Sequence, residues 1–323
     1  LHIVYFIHWR ISVAVYTTLS ESQVNEMLSR FSLPPLQYMT GASDGIENTT
    51  YFLTLSDQRS FVLTLFEMLD AEQLPPYMDL MRHYNFHGLP VPSPLLDTNG
   101  VALQKLAHKP AVLFPRATGK HTAHPSVEQC VSLGKALAHL HLASADFSVH
   151  IPNPCGLAWA EHTACRVMPH LEDSDCTLLS RQLALGRLLQ SQPLPRGIIH
   201  GDLFKDNVLF EGSHITAIID FYNAGTDFFL LDLAIAVNDW CFDDATHPSA
   251  EHQSALLDAY QSVRPLSAQE NLAWQDCLAW AACRFWLSRL MARLRSSNTV
   301  AQRLKDPAQY KNLLLFHASP PRK

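Results

Sequence analysis

The spacing of apolar and polar positions divides the chain into a strand-rich beginning and a helix-rich remainder. Residues 20–31 place apolar side chains at helical intervals behind Ser20, with Gln23 three positions on. That is the signature of a capped first helix. Residues 51–55 and 61–66 are short apolar runs joined by a polar link, and they predict a hairpin. A second helix is expected over 74–84. The prolines of 89–94 force an extended segment, because each restricts the residue before it. The turn Thr98-Asn99-Gly100 leads into two more short strands ending near Leu113-Phe114. The character then changes. Residues 126–142 form an amphipathic helix opening on Ser126-Val127-Glu128-Gln129. Helical spacing continues over 159–189, strands return over 197–220, and 231–316 is mostly helical.

Composition narrows this picture. The 323 residues are 47% hydrophobic and 17% charged, enough for two lobes with separate cores. The expected division is an extension over 1–12, an N-terminal lobe over 13–113 and a C-terminal lobe over 114–323, with the hinge inside 111–119. The apolar stretch 1–10 is too short to span a bilayer and lacks the features of a secretory signal. It reads either as a translated upstream segment, with the start near Val13, or as an extension packed on the body. The net charge of −6 and the absence of a Lys/Arg run argue against nucleic acid as a partner, and no membrane partner is expected. Seven cysteines without a CxxC fit a reducing, cytoplasmic compartment, and the seventeen histidines show no metal-ligand spacing.

The chemistry concentrates in one segment, His200-Gly201-Asp202-Leu203-Phe204-Lys205-Asp206-Asn207, which runs through two apolar stretches to Ile218-Ile219-Asp220. Val208 to Phe210 and Ile215 to Ile219 pair as a hairpin across a polar turn, which brings Asn207 near Asp220 and both near Asp202. Hard oxygen ligands of this kind suit Mg²⁺ with bound phosphates.

The pattern H-G-D-x(4)-N followed by a hairpin and I-I-D resembles the catalytic and metal-binding segments of the aminoglycoside phosphotransferase and choline kinase-like enzymes. Leu133 to His141 resembles their LGxxLAxLH helix, and Leu231-Asp232-Leu233-Ala234 resembles their D-L-A helix start. Gly45-Ile46-Glu47-Asn48-Thr49-Thr50-Tyr51-Phe52, Asp220 to Asp227, Asn238-Asp239-Trp240 and Arg284 to Leu290 are similar to the narrower group of bacterial homoserine kinases of this fold. The resemblance covers about residues 13–317. It implies an α+β, two-lobed protein-kinase-like fold: an N-terminal antiparallel sheet with a helix, then a larger, mostly helical lobe. It implies ATP and Mg²⁺ as cofactors and L-homoserine as phosphate acceptor; a homodimer is left open.

By the same resemblance, Asp202 is the catalytic base, and Asn207 and Asp220 hold the metal. Gly41, Ser43, Gly45 and Asn48 supply a backbone anion site, to which Lys205 either adds charge or stays solvated. His200 and Asp232 brace the catalytic loop. Glu47 or Asp227 would meet the ammonium group of homoserine, and Arg284 or Arg289 its carboxylate. Arg284 has a second reading, an internal ion pair with Asp232. The strand-three lysine typical of kinases is missing; its place falls near Thr64, and Glu72 is the nearest candidate for its usual acidic partner. Two rival functions stay open. One is a kinase for another small alcohol, such as choline or an aminoglycoside; the other is a pseudokinase that binds Mg·ATP without turnover. A protein kinase is disfavoured, since HRD, DFG and APE are all absent.

Overall fold

A computed structural model describes residues 17–42, 48–242, 247–295 and 305–318. The expectations for residues 1–16 and for Ser43, Gly45 and Glu47 lie outside the described residues. The chain divides into two compact units, the first ending at Ala117 and the second starting at Thr118.

The first unit is a five-stranded antiparallel sheet in the order β1-β2-β3-β5-β4. The strands are β1 (Leu36–Gly41), β2 (Asn48–Leu55), β3 (Ser60–Phe66), β4 (Gln104–Leu106) and β5 (Lys109–Pro115). Side chains alternate across a strand, so Leu53, Leu55, Phe61, Leu63, Leu65, Ala111 and Leu113 share one face. That face is closed by Leu19, Val24, Met27, Leu28 and Phe31, on or beside helix α1 (Glu21–Arg30). Each such side chain contributes about 1.5–3 kcal/mol when fully buried. The start of α1 is set by the expected box: Ser20 accepts from the Gln23 amide and Gln23 reaches back to Ser20. Helix α2 (Pro75–Phe86) begins on two prolines, where the missing N–H groups cost nothing. Glu72 lies in the turn ahead of it.

Thr64 sits in mid-β3, buried, paired with Thr50 on one side and Val112 on the other. The lysine nearest in register, Lys109, cannot stand in for the absent strand-three lysine. It shares the face of Ala111 and Leu113, opposite to that of Val112 and Thr64. There it is held by Glu67 at 3.1 Å, whose other oxygen accepts from Thr17 and Thr49.

The second unit is helical around two small ribbons. Helix α3 (Val127–Ala143) starts at the Ser126–Gln129 box. It lies so close to α7 (Ala250–Val263) that a Cβ on Gly134 would meet the Leu256 carbonyl oxygen at 2.3 Å. The long helical stretch expected over 159–189 is broken in two, α4 (Leu157–Val167) and α5 (Asp173–Ser191), with a short 3-10 turn containing Pro169 between them. The last helices are α6 (Phe229–Trp240), α8 (Ala268–Arg295) and α9 (Pro307–Ala318). Helix α8 is buried on every side from Cys277 to Leu287, as expected of the central rod of a helical layer. None of the described helices is long and apolar enough to cross a membrane.

Candidate active site

The site is built on two antiparallel ribbons of the second unit. Strand β6 (Arg196–Ile199) pairs with β9 (Gly225–Phe228), and β7 (Val208–Glu211) pairs with β8 (His214–Ile218). The loop 200–207 leaves β6 and enters β7. Residues 219–224 leave β8 and enter β9. The β7–β8 register matches Val208 with Ile218, and the ladder runs one step further: the Ile219 N–H donates to the Asn207 carbonyl at 2.9 Å. Asn207 and Asp220 are thereby brought to the same end of the hairpin.

Hydrogen bonds inside the loop fix Asp202. Its N–H donates to His200 Nδ1 at 3.3 Å. The Asn207 amide nitrogen donates to its carbonyl at 2.7 Å and to its Oδ2 at 3.3 Å. His200, stacked near Phe221, donates through Nε2 to the Ile219 carbonyl at 2.9 Å. One neutral imidazole thus ties the Asp202 loop to the segment carrying Asp220. Burial holds His200 below its ordinary pKa, in keeping with that single-proton state. Both ring nitrogens of His200 are thus engaged, one within the loop and one by the Ile219 carbonyl.

Beneath the loop lies Asp232, at the start of α6 and fully buried. It accepts from the His200 N–H at 2.7 Å, the Gly201 N–H at 2.8 Å and His141 Nε2 at 3.2 Å. Despite its burial, these bonds hold the carboxyl below its usual range. Gly201 needs its left-handed backbone (φ +77°), and a Cβ there would meet the Asn223 carbonyl at 2.6 Å. Arg284 donates to the Gly201 carbonyl and packs on Phe285. The ion pair between Arg284 and Asp232 considered from the sequence is therefore not formed. Asp232 is filled by backbone donors and a histidine, while the arginine reaches the opposite side of the same peptide segment.

The far end of α6 also holds the loop, through two residues to which sequence reasoning assigned no role. Asp239 accepts from the Lys205 N–H at 2.8 Å, and the Trp240 indole donates to the Leu203 carbonyl at 3.0 Å. The run Asn238-Asp239-Trp240 was visible as a motif, but nothing in it said which backbone groups it would meet. The Lys205 side chain lines a cavity of about 120 Å³ with His124, Trp240, Cys241 and His252. Asp206 pairs with Lys305 at 3.2 Å.

Burial raises three carboxyls here, Asp202, Asp220 and Asp239; the first two carry the candidate chemistry. Burial and then the charge of Asp220 raise Asp202 to about 7, with Arg284 pulling the other way. Burial and then Asp206 raise Asp220 to about 6. Both keep some exposed surface, so they are reachable as well as desolvated. Asp220 also holds a left-handed backbone (φ +68°), which costs a non-glycine residue on the order of 1 kcal/mol. Excess negative charge on hard oxygens, with the amide nitrogen of Asn207 spent on the loop and its oxygen left as ligand atom, fits a divalent cation such as Mg²⁺. No group of three or more His, Cys, Asp or Glu side chains among the described residues would hold a metal alone. The set here has two acids and an amide, as suits a cation that takes its other ligands from phosphates and water.

The remaining candidates lie elsewhere. Asp227 is two rungs along the β6–β9 ribbon from the loop. Its carboxylate is engaged by Asn153 at 2.7 Å, Gln190 at 2.9 Å and the Phe228 N–H at 2.9 Å. Arg289 donates to the Asp306 carbonyl and to Gln309, both at 2.7 Å, and lies over Tyr310, fastening α9 to α8. Gly41 and Asn48 end β1 and begin β2 in the first unit.

Residues 39–266 match the family described as "Phosphotransferase enzyme family". The chain is 40% identical over 302 residues to a homoserine kinase of Methylobacillus flagellatus, covering 94% of each chain. It is 38% identical over 303 residues to a homoserine kinase of Neisseria meningitidis, covering 94% of this chain and 99% of that one. Among solved structures, an amicoumacin kinase in complex with AMP-PNP, Ca²⁺ and its ligand superposes with a TM-score of 0.71 at 18% identity, over 93% of this chain and 92% of that one. A spectinomycin phosphotransferase in complex with ADP and spectinomycin gives 0.66 at 14%, over 91% and 94%. Those likenesses establish the α+β, protein-kinase-like fold. The chain belongs to the phosphotransferase enzyme family, within the group formed by these homoserine kinases.

Proposed function

We propose that this chain transfers the γ-phosphoryl group of ATP to the side-chain hydroxyl of L-homoserine, the step that yields O-phosphohomoserine in threonine biosynthesis. The observation that carries the reading is full-length similarity to homoserine kinases, joined to a loop in which Asp202, Asn207 and Asp220 converge. ATP is the donor that the family binds, as the ADP and AMP-PNP complexes of the structural relatives illustrate.

Asn207 and Asp220 would hold Mg²⁺, which supplies charge neutralisation for the phosphates. Asp202 takes the hydroxyl proton. Its Oδ2 is touched by Asn207, and we assign the proton to Oδ1. An alcohol is far too weak an acid to ionise beforehand, so the carboxylate acts in and after the transition state. Gly41 and Asn48 flank the backbone segment assigned to the phosphates, together with Ser43 and Gly45. Arg284, spent on Gly201, acts through the loop. Asp227 and Arg289 are engaged within the fold, so of the four substrate candidates Glu47 is the one we retain for the ammonium group.

The metal assignment has its own test. Asp220→Ala is expected to weaken Mg-dependent ATP binding at least tenfold, read by titration calorimetry with and without Mg²⁺, while Mg-free nucleotide binding stays as in the wild type. Unchanged Mg·ATP affinity in the variant would remove Asp220 from the metal site.

A further inference from the structure

Behind Asp232 the structure holds a chain of buried polar groups that the reaction itself does not use. His141 on α3 contacts Asp232 through Nε2 and Tyr260 on α7 through Nδ1, at 3.2 and 2.7 Å. Arg264, just past α7, donates to the Tyr260 hydroxyl at 3.1 Å and approaches Glu270 on α8 at 2.9 Å. Glu270 in turn completes the box that starts α8: its Oε2 accepts from the Ser267 N–H at 2.8 Å, and its own N–H donates to Ser267 Oγ at 3.2 Å. Its Oε1 takes no aligned hydrogen bond and is held to Arg264 by charge. All five side chains are at most 9% exposed. Phe229 stacks on the His141 ring at 4.5 Å and carries the Arg264 guanidinium on its face at 4.8 Å.

The direction of every proton in this chain follows from chemistry. Burial keeps His141 neutral, so it has one N–H. Asp232 is an acceptor only, so that N–H is on Nε2. Nδ1 must then accept, so the Tyr260 O–H donates to it. Arginine can only donate, so the Tyr260 oxygen accepts from Arg264. Donors therefore point one way, from Arg264 through Tyr260 and His141 to Asp232, and the Asp232 carboxylate finally receives the His200 and Gly201 N–H groups. In the other tautomer, His141 would turn a lone pair toward a buried carboxylate. Networks of this kind are worth having only when every member is satisfied.

We propose that Tyr260, Arg264 and Glu270 are positioning residues for phosphoryl transfer, locking His141 in its Nε2–H tautomer so that Asp232 holds the 200–202 loop in its reactive shape. None of the three touches a reactant. They tie the start of α8 to the loop that carries Asp202.

The test is Tyr260→Phe, which keeps the ring and removes only the donor to His141. In the folded variant, kcat with Mg·ATP and the acceptor alcohol is expected to fall about tenfold while KM for ATP stays within about twofold, the cost of one unmet buried hydrogen bond. Amide hydrogen exchange of the 200–207 segment is expected to quicken by a similar factor, while exchange in the β1–β5 sheet does not change. The kcat comparison rests on the kinase reading; the exchange comparison reads the loop directly and stands whichever alcohol is the acceptor. Arg264→Lys supplies an independent variant that keeps the cation beside Glu270 but loses the fixed donor fork. It is expected to quicken loop exchange in the same segment. Wild-type loop exchange and wild-type kcat in either folded variant would overturn the proposal, as would a loss confined to KM for ATP.

Discussion

Asp202→Asn is expected to lower kcat by about a hundred- to ten-thousandfold, the range typical of losing a positioned general base. Mg·ATP should still bind with an affinity within a few-fold of the wild type. The asparagine is nearly the same size: the His200 ring still accepts from its N–H, Asn207 still donates to its carbonyl, and its amide oxygen can take the Asn207 bond that Oδ2 accepts in the wild type. What changes is proton affinity at one atom. The amide cannot take the proton of the acceptor hydroxyl, so the transition state loses a stabilising interaction that the ground state never had. The measurement is steady-state turnover beside nucleotide titration. Turnover near that of the wild type would remove Asp202 from the reaction.

Asp232→Ala is expected to be the most destabilising single change in the second unit, and to abolish activity for a different reason. The wild-type carboxylate satisfies three donors in a fully buried place. Truncation leaves the His200 and Gly201 N–H groups and the His141 N–H without an acceptor. Each buried donor left unmet costs about 1–3 kcal/mol, so the three together cost several kcal/mol. In a unit of this size that lowers the melting temperature by roughly 10 °C. Asp232→Asn is no rescue, because an amide puts an N–H against donors. Thermal unfolding followed by a probe in the helical unit gives the reading. A melting temperature within 2 °C or so of the wild type would mean that the loop does not depend on this clamp.

Much of this was legible in the residues. The hairpin over 208–218 followed from two apolar runs around a polar turn, and counting back from the turn brought Asn207 toward Asp220. Ser20 with Gln23, and Ser126 with Gln129, marked two helix starts because capping is a local interaction between residues three apart. Partnerships made by tertiary packing were not legible. Arg284 in an apolar helix demanded a partner, and an acid was the natural guess. Which group lies opposite is set by how α8 crosses the loop, and the fold supplied a carbonyl. Asp227 was a candidate partner for the ammonium group of homoserine, and nothing in its neighbours along the chain marks it as buried. The strand reverses it into a ribbon, where Asn153 and Gln190 surround it. The Asp239 and Trp240 contacts join residues 34 and 37 positions apart and carry no local pattern; the Arg264–Glu270 pair spans the turn between two helices, and which way the arginine points there is set by packing on Phe229 and Tyr260.

The geometry also shows that no neighbouring lysine of the sheet replaces the missing strand-three lysine. Thr64 pairs within the sheet, and Lys109 is on the opposite face, held by Glu67. On the proposed reading, the divalent cation that Asn207 and Asp220 would hold then supplies charge for the phosphates in place of that lysine. The same reading expects nucleotide binding to depend on the metal more than in a kinase that keeps its lysine.

The central claim is the identity of the acceptor, and a coupled assay of ADP release with Mg·ATP tests it most directly, comparing L-homoserine with L-serine, choline and an aminoglycoside. The account predicts release that depends on L-homoserine, with the other three near background. Release with one of the other alcohols and none with L-homoserine would contradict it.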